Sequence, residues 1–394
     1  MESALGHKMF KIKTLNEIAD EGLNLFTQKF TIVDEDAVDG ILVRSTAMHT
    51  YPIDKKVKAI ARAGVGVNNI PLDECAEKGI VVFNTPGANA NGVKELVVAG
   101  LMLASRDIIG SVEWTKSITD LGDEIPKKVE AGKSNFTGPE VKGKTLGVIG
   151  LGAVGVIVSN AANALGMNVL GYDPYISVSS AWGLSRSVKR ATSYDELYEK
   201  CDYLTLHVPL VDATRNLINE ESIRKMKDGM RILNFARGEL VEDKAMAQAL
   251  ESGKIAKYIT DFPNKATMVM KNCVNIPHLG ASTPESEINC AIMAVRQMMD
   301  YLENGNIKNA VNYPDCDMGV CRSDARITLN HRNIPNMVSQ ITSVMGSKNI
   351  NIATMQNMSK KAWAYTILDI DGEAGPDILQ ALEAIDGVVK VRLI

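Results

Sequence analysis

The stretch Lys144–Asp173, KTLGVIGLGAVGVIVSNAANALGMNVLGYD, constrains the fold of this chain more than any other. Thr145, Leu146, Val148 and Ile149 form a short apolar, β-prone run, and Gly150-Leu-Gly152-Ala153-Val154-Gly155 follows at once. An apolar segment, Val156–Leu165, then stops at Gly166, and a second apolar run, Asn168–Tyr172, ends at Asp173. The order predicts strand, glycine turn, helix, strand, acid. Gly150 permits the tight turn, Gly152 lets a pyrophosphate approach the backbone at the helix N-terminus, and Gly155 lets helix and strand pack closely. Asp173 stands where a carboxylate accepts hydrogen bonds from a ribose diol, which favours NAD over NADP. The glycine spacing alone would be a weak sign. Here a strand precedes it, a helix follows it, and an acid lies at about the required 20 residues. A glycine-rich turn in an ordinary βαβ unit would leave that acid unexplained.

The 394 residues are enough for two or three domains. Hydrophobic residues make up 45% and charged residues 23%, as in an ordinary globular protein. A net charge of −4 gives no bulk electrostatic case for nucleic-acid binding. No apolar run approaches the ~20 residues of a membrane helix. The N-terminal stretch MESALGHKMFKIKTLNEI has no apolar signal core, so a cytoplasmic location is expected. Cys75, Cys201, Cys273, Cys290, Cys316 and Cys321 are scattered and form no CxxC. Cys316 and Cys321 are close, but no His or second Cys pair accompanies them, so reduced thiols and no metal site are expected.

Residues 1–91 alternate strand-like and helix-like runs. Gly40–Val43 leads into Arg44-Ser45-Thr46, Val57–Ala61 into Arg62-Ala-Gly64-Val65-Gly66-Val-Asn68, and Ile80–Phe83 into Asn84-Thr-Pro-Gly. Ligands gather at the carboxyl ends of strands in open α/β sheets. Arg44 and Arg62 are therefore candidates for gripping an anion through forked, charge-assisted hydrogen bonds. Backbone N–H groups around Gly64 and Gly66 could hold a carboxylate. Residues 92–108 have long helical apolar character, and the polar segment 109–140 reads as a surface wrap.

Beyond Asp173 the rhythm continues. SYDELYEKC (193–201) reads as a helix with Ser193 as cap and Glu196 at the capping-box position. Strands follow at Tyr203–Val208, Arg231–Phe235, Tyr258–Phe262 and Val274–Ile276, with helices at Asn219–Lys227 and at Asp243–Ser252, the latter stopped by Gly253. This predicts one parallel, doubly wound sheet. His207, Arg237 and His278 all stand just after strand ends. A His there can act as acid or base near neutral pH. Arg237, in a Gly-flanked loop, can fix a carboxylate and polarise an adjacent carbonyl.

The ordered motifs RST, RAGVGVNN, GLGAVG, YDPY, HVP, NFARGELV, DFP and IPHLGAST resemble the D-isomer-specific 2-hydroxyacid dehydrogenases, and more narrowly their phosphoglycerate-oxidising branch. The resemblance runs through essentially the whole chain. It implies two doubly wound Rossmann-like domains: an NAD-binding domain, 92–280, inserted into a substrate-binding domain, 1–91 with 281–313, whose returning helix is Thr283–Asn304. It implies that His278 exchanges a proton with the C2 oxygen of 3-phosphoglycerate and that Arg237 orients the carboxylate and the reacting carbonyl. Arg44, Ser45, Arg62, Val65, Gly66 and Asn68 match substrate-side positions. Gly150, Gly152, Ala153, Val154, Gly155, Asp173, His207, Val208, Pro209, Thr214, Ala236, Asp261 and Gly280 match cofactor-side positions. One residue departs from the pattern. The family places a glutamate two residues after its Phe-Pro, where it pairs with the catalytic His; this chain has Lys265 there. A protonated Lys cannot accept the imidazole N–H and disfavours imidazolium. Asp261 and Glu285 are the candidate substitutes, and an uncoupled His or weak activity are the other two readings.

Tyr313–Asp324 carries Pro, Gly and charge and reads as a linker. Residues 325–394 then predict strand, helix, two strands, helix, strand, a ferredoxin-like βαββαβ module. It resembles the ACT regulatory domain of the same family, whose positions corresponding to His331, Asn333 and Asn351 bind L-serine between paired modules. Asn side chains can bond both an amine and a carboxylate. A pairing module without ligand is the other reading. The resemblance thus implies a homo-oligomer, dimer or tetramer, with 3-phosphoglycerate as substrate and L-serine as effector. A sister enzyme acting on another D-2-hydroxyacid and a non-catalytic NAD-sensing protein are the alternatives.

Overall fold

The computed structural model describes residues 9–394; the first eight residues of the stretch inspected for a signal core lie outside the described residues. The chain forms two compact units, one made of residues up to Ala88 with Glu287–Ile394 and the other of Asn89–Ser286.

In the first unit, β1 (Phe10–Thr14), β2 (Phe30–Ile32), β3 (Gly40–Val43), β4 (Ala59–Arg62) and β5 (Val81–Phe83) build a parallel sheet in the order β2-β1-β3-β4-β5. β3 and β5 are buried along their whole length. That is why they read as unbroken apolar runs rather than as alternation. The helix Pro284–Asn304 packs on this sheet with Cys290, Ala291, Ala294, Val295, Met298, Tyr301 and Leu302 buried, an apolar face at helical spacing. The strand order reverses direction between β1 and β3, so the loops after these strands flank a switch point.

In the second unit, β6 (Thr145–Ile149), β7 (Asn168–Tyr172), β8 (Lys189–Arg190), β9 (Tyr203–Leu206), β10 (Met230–Asn234), β11 (Ile255–Thr260) and β12 (Cys273–Asn275) are parallel in the order β12-β11-β10-β9-β6-β7-β8. The doubly wound order puts its switch point between β6 and β9. Local signals set the helices. Ser193 Oγ accepts from Glu196 N, and Asn219 with Ser222 forms a capping box. Gly253, at φ 78°, ends Asp243–Ser252. Glu196 does not complete the box foreseen for Ser193; its carboxylate takes the Thr192 N–H at 2.8 Å instead. The polar segment 109–140 carries helices Ile108–Ser117 and Ile125–Gly132, neither with a buried residue.

The third sheet closes the first unit. β13 (Ala325–Arg332), β14 (Asn351–Lys360), β15 (Trp363–Asp371) and β16 (Val388–Leu393) are antiparallel in the order β14-β15-β13-β16, with helices Met337–Ser347 and Pro376–Glu383. This is the ferredoxin-like βαββαβ arrangement. Ile327, Leu329, Leu368 and Ile370 pack with Ile341, Met345 and Leu382 of the helices. The alternate positions are polar yet buried: Arg326, Thr328, Asn330 and Arg392. For the two arginines, their partners explain this. Arg326 donates to both oxygens of Asp369, at 2.6 and 2.9 Å, and to Asn304 O at 2.7 Å. Arg392 donates to Tyr301 O and Leu302 O, and Tyr365 Oη to Gly305 O. The module thus places cations on the last carbonyls of Pro284–Asn304 and a hydroxyl on Gly305 just beyond, the groups that suit that end of a helix dipole.

The segment 313–324 is accordingly not a loose linker. Tyr313 is buried, donates to Ala76 O at 2.7 Å and packs on Trp363, while Cys316 is buried and bridges to Ile307. Its Pro and Gly shape a packed connection. Among the described residues no helix is long and apolar enough to cross a membrane.

Removing Asp369 would leave a fully buried guanidinium uncompensated. Asp369→Ala is expected to destabilise this unit by about 3–5 kcal/mol in urea unfolding, whereas an Arg326→Met, Asp369→Leu pair recovers most of the loss. Equal midpoints for wild type and Asp369→Ala would contradict the assignment.

Candidate active site

The nucleotide turn lies after β6. Gly150 has φ 91°, and a Cβ there would come within 2.7 Å of His207 O. A Cβ at Gly155 would lie 1.9 Å from Gly150 O, so only glycine allows the helix Ala153–Ala164 to start where it does. Gly152 has no atom within 4 Å of its Cβ position, leaving open space above the turn. The helix has no side-chain cap, so the N–H groups of Ala153, Val154 and Gly155 are left for an anion. Asp173, after β7, accepts from Leu151 N at 2.9 Å and from Tyr175 N at 2.8 Å. These bonds fix a carboxylate that retains lone pairs for a diol.

On the other side of the switch point, His207 follows β9 with Nε2 3.0 Å from Thr205 Oγ1. Desolvation pushes the pKa of this half-buried imidazole down to about 3, which favours its neutral form. Val208 packs against the Gly150 turn. Thr214 Oγ1 donates to Pro209 O at 2.6 Å and accepts from Val211 N at 2.9 Å, closing the loop that carries Pro209.

The loops after β10, β11 and β12 are neighbours by strand order, and they carry Arg237, Asp261 and His278. Asn234, fully buried, donates to Arg237 O at 2.9 Å and accepts from Ala236 N at 3.2 Å, so it shapes the turn that presents Arg237. Asp261 is buried; its Oδ2 accepts from Gly280 N at 3.3 Å, while Oδ1 has no partner among the described residues. Burial raises the Asp261 pKa, and the charges of His278 and Arg237 oppose the rise. His278 is exposed and packs at 4.8 Å on the Phe262 ring. Among the described residues no carboxylate is hydrogen-bonded to its imidazole. Lys265 is exposed and makes no bond to it.

In the first unit the loops after β1, β3 and β4 meet. Asn16 Oδ1 accepts from the backbone N of Arg44, Ser45 and Thr46, at 2.9, 3.1 and 3.2 Å. Arg62 Nε donates to Arg44 O at 2.8 Å and its Nη1 to Gly66 O. Burial and then the charge of Arg44 lower the Arg62 pKa. Two guanidiniums therefore share one place, and Glu287 pairs with Arg44 alone. Asn84 Nδ2 holds Val65 O at 2.7 Å, and Asn68 O bonds His49 Nε2 at 3.0 Å. The sequence reading overlooked Asn16 and Asn234. Their signal was an Asn at or just beyond a strand end, one residue type among many that make turns.

In the C-terminal module, His331 is buried with one ring nitrogen 2.8 Å from Arg332 O and the other 2.8 Å from Thr366 Oγ1. Both nitrogens are used, so the expectation that His331 contacts a ligand is corrected: β13 buries its side chain against β15. Asn333 donates to Lys361 O at one end of β15, and Asn351 to Asp371 Oδ2 at the other. The nine residues of β15, at about 3.3 Å each, separate them within one chain.

Residues 111–280 match the family described as D-isomer specific 2-hydroxyacid dehydrogenase, NAD binding domain. A D-3-phosphoglycerate dehydrogenase of Methanocaldococcus jannaschii is 36% identical over 77% of this chain and 57% of its own length. A Schizosaccharomyces pombe protein that carries the same name provisionally is 30% identical over 96% of this chain and 85% of its own. The chain spans about half the length of the archaeal and mammalian relatives it matches, 57% for the first and 50% for the human one. Among solved structures, an NAD+-bound 3-phosphoglycerate dehydrogenase of Entamoeba histolytica matches with a TM-score of 0.55 and 29% identity, over 77% of this chain and 99% of its own. D-mandelate dehydrogenase of Rhodotorula graminis has a TM-score of 0.64 at 22% identity, over 76% and 97%, which speaks for the fold.

The half-buried His207 makes a signed prediction. The unfolded chain protonates this imidazole near pH 6.5 and the folded chain near pH 3, so between them the unfolded state binds more protons and stability falls as pH drops. His207→Gln is expected to lose less stability than wild type on acidification from pH 6.5 to about 4, read as urea midpoints. Parallel pH slopes would show that the folded chain protonates His207 normally.

Proposed function

The chain belongs to the D-isomer specific 2-hydroxyacid dehydrogenase family, and from that membership we propose that it oxidises D-3-phosphoglycerate to 3-phosphohydroxypyruvate with NAD. The observation that carries this reading is the trio after β10, β11 and β12: a proton-transfer group, His278, and a carboxylate-binding group, Arg237, both acting on the buried Asp261. The residues present fit the cofactor. Open space over Gly152 and the uncapped helix suit a pyrophosphate, and the fixed Asp173 suits a ribose diol. NAD supplies the acceptor for the hydride that leaves C2.

The chain's own residues do the rest. The proton of the C2 hydroxyl passes to an imidazole nitrogen of His278 as C2 becomes a carbonyl. Arg237 binds the substrate carboxylate and polarises the developing carbonyl. Arg44 and Arg62 supply the cationic pair for the remaining anionic groups, with Ser45, Val65, Gly66 and Asn68 in the adjoining loops. In this reading 1–91 with 281–313 bind substrate, 92–280 bind NAD and 325–394 regulate. L-serine is the proposed effector. Because Asn333 and Asn351 stand at opposite ends of β15, a serine held by both needs two paired modules. The exposed edge strand β14 and the unburied helix 108–117, which presents Ile109 and Val112, support a homo-oligomer; the cytoplasm is the proposed location. A second reading, an NAD-binding protein without turnover, draws on Lys265 and on the unpaired imidazole.

Oxidation of NADH with 3-phosphohydroxypyruvate, beside pyruvate and 2-oxoglutarate, decides between them. Phosphohydroxypyruvate is the expected substrate, and His278→Ala and Arg237→Ala are each expected to cut kcat at least about 100-fold while NADH binding persists. Tight NADH binding with no turnover on any oxo acid would favour the second reading. Asp173→Ala is expected to lower the affinity for NAD relative to NADP; an unchanged ratio in binding titrations would reject the diol role.

A further inference from the structure

The first unit contains a cavity of about 550 Å³ that has been given no role above. Asn84, just after β5, lines one side, Asn309 and Asp315 come from the packed connection before β13, and Ser359 and Lys360 end β14. The volume is in the range of small-molecule sites.

Its charges are of opposite sign and do not close on each other. Lys360 Nζ donates to Ala310 O at 2.9 Å, which leaves two N–H groups. Among the described residues neither Lys360 nor Asp315 has an ion-pair partner, although the field of Asp315 reaches Lys360. Lys308, which also feels Asp315, is engaged with Asp317 at 2.6 Å. Lys360, Ser359 and Asp315 are exposed and line an open cleft, where an anion can come beside the ammonium; partial burial of its stem lowers the Lys360 pKa. A free ammonium and a free carboxylate across one cavity, with the amide oxygen of Asn84 and the hydroxyl of Ser359 nearby, complement a molecule that carries both charges.

The same residues lead to the substrate-side loop. Ala310, bound by Lys360, bridges Phe83, and Val311 N donates to Val82 O at 2.8 Å. Asn84 follows Phe83, and its Nδ2 holds Val65 O at 2.7 Å. Gln297 fastens Asn84 to Asn309, donating to Asn84 O at 2.9 Å and accepting from Asn309 Nδ2 at 2.7 Å. A ligand on Lys360 and Asn84 therefore touches the group that sets the position of Val65.

We propose that this cavity binds a small zwitterionic α-amino acid, carboxylate on Lys360 and ammonium on Asp315, and that occupancy reaches the Gly64–Asn68 loop through Asn84. The site is separate from the Asn333 and Asn351 pair and is complete within one chain. Binding stands independently of the dehydrogenase reading; only an effect on turnover rests on it.

Titration calorimetry of the full chain with glycine, L-alanine and L-serine tests the first half. Succinate and ethylamine, each carrying one kind of charge, serve as controls. The amino acids are expected to bind at least about tenfold more tightly than either control. Lys360→Met and Asp315→Asn are each expected to weaken them about tenfold or more, and Asn351→Ala to leave them unchanged. Amide hydrogen exchange at 64–68 tests the second half without turnover: it slows on binding in wild type and not in Lys360→Met. If the protein is an active dehydrogenase, the bound amino acid also shifts the KM of the oxo acid, and Lys360→Met keeps its basal KM. No binding at about 10 mM, binding indifferent to both variants, loss only in Asn351→Ala, or equal binding of succinate would each overturn the site. Binding with unchanged exchange at 64–68 would overturn the transmission.

Discussion

Gly150 and Gly155 touch so closely that a single added carbon at residue 155 would sit 1.9 Å from the Gly150 carbonyl oxygen. The consequences spread through the second unit. The helix after β6 begins directly against the strand end, so its unpaired N–H groups are aimed over Gly152. The His207 carbonyl fills the space that a Gly150 side chain would need, which brings the loop after β9 against the same turn. Leu151 N is tied to Asp173, so the end of β7 is fixed as well. Three strand ends and one helix end are thereby held by a contact that tolerates no side chain. The anion-binding geometry follows from packing and needs no cationic residue.

The loops after β10 to β12 depend on charge rather than contact. Lys265 is exposed, whereas Asp261 is buried. The charges of His278 and Arg237 oppose the rise that burial imposes on the Asp261 carboxyl. Phe262 restrains the imidazole by ring packing, and the Gly280 N–H anchors one oxygen of Asp261. The chain in this way orients His278 without a direct carboxylate–imidazole bond.

Strand and helix order was legible wherever one local signal dominated. β6, β7 and β16 fall on the apolar runs that announced them, and Gly253 ended the helix 243–252 as expected. The places of Arg44, Arg62, Asp173, Arg237 and His278, at or just beyond strand ends, were legible from the apolar runs that precede them. What escaped the sequence depends on tertiary partners. Asn16 and Asn234 matter only because their loops meet another loop, which spacing along the chain does not reveal. Arg326 alternates with apolar residues in β13 and so reads as a solvent-facing position; Asp369 lies 43 residues away and turns it into a core residue. His331, singled out through the resemblance of this module, is buried in the same way by a partner on β15 that spacing along the chain does not reveal.

The C-terminal module is held by hydrogen bonds that belong to the helix Pro284–Asn304. At the end of that helix Arg326 supplies Asn304 O and Arg392 supplies Leu302 O, Arg392 also shares Tyr301 O with Gly305 N, and Tyr365 supplies the carbonyl of Gly305 just beyond. Withdrawing the module would strand those carbonyls and expose two guanidiniums built for them. Its position is therefore part of the stability of the first unit, not a matter of tether length. Glu287, at the start of the same helix's share of this unit, pairs with Arg44. One rigid element thus has a substrate-side arginine near its beginning and the module at its end. A shift of a few tenths of an ångström at the capped end would be carried along packed side chains from Tyr301 to Cys290, because a close-packed face transmits displacement rather than absorbing it.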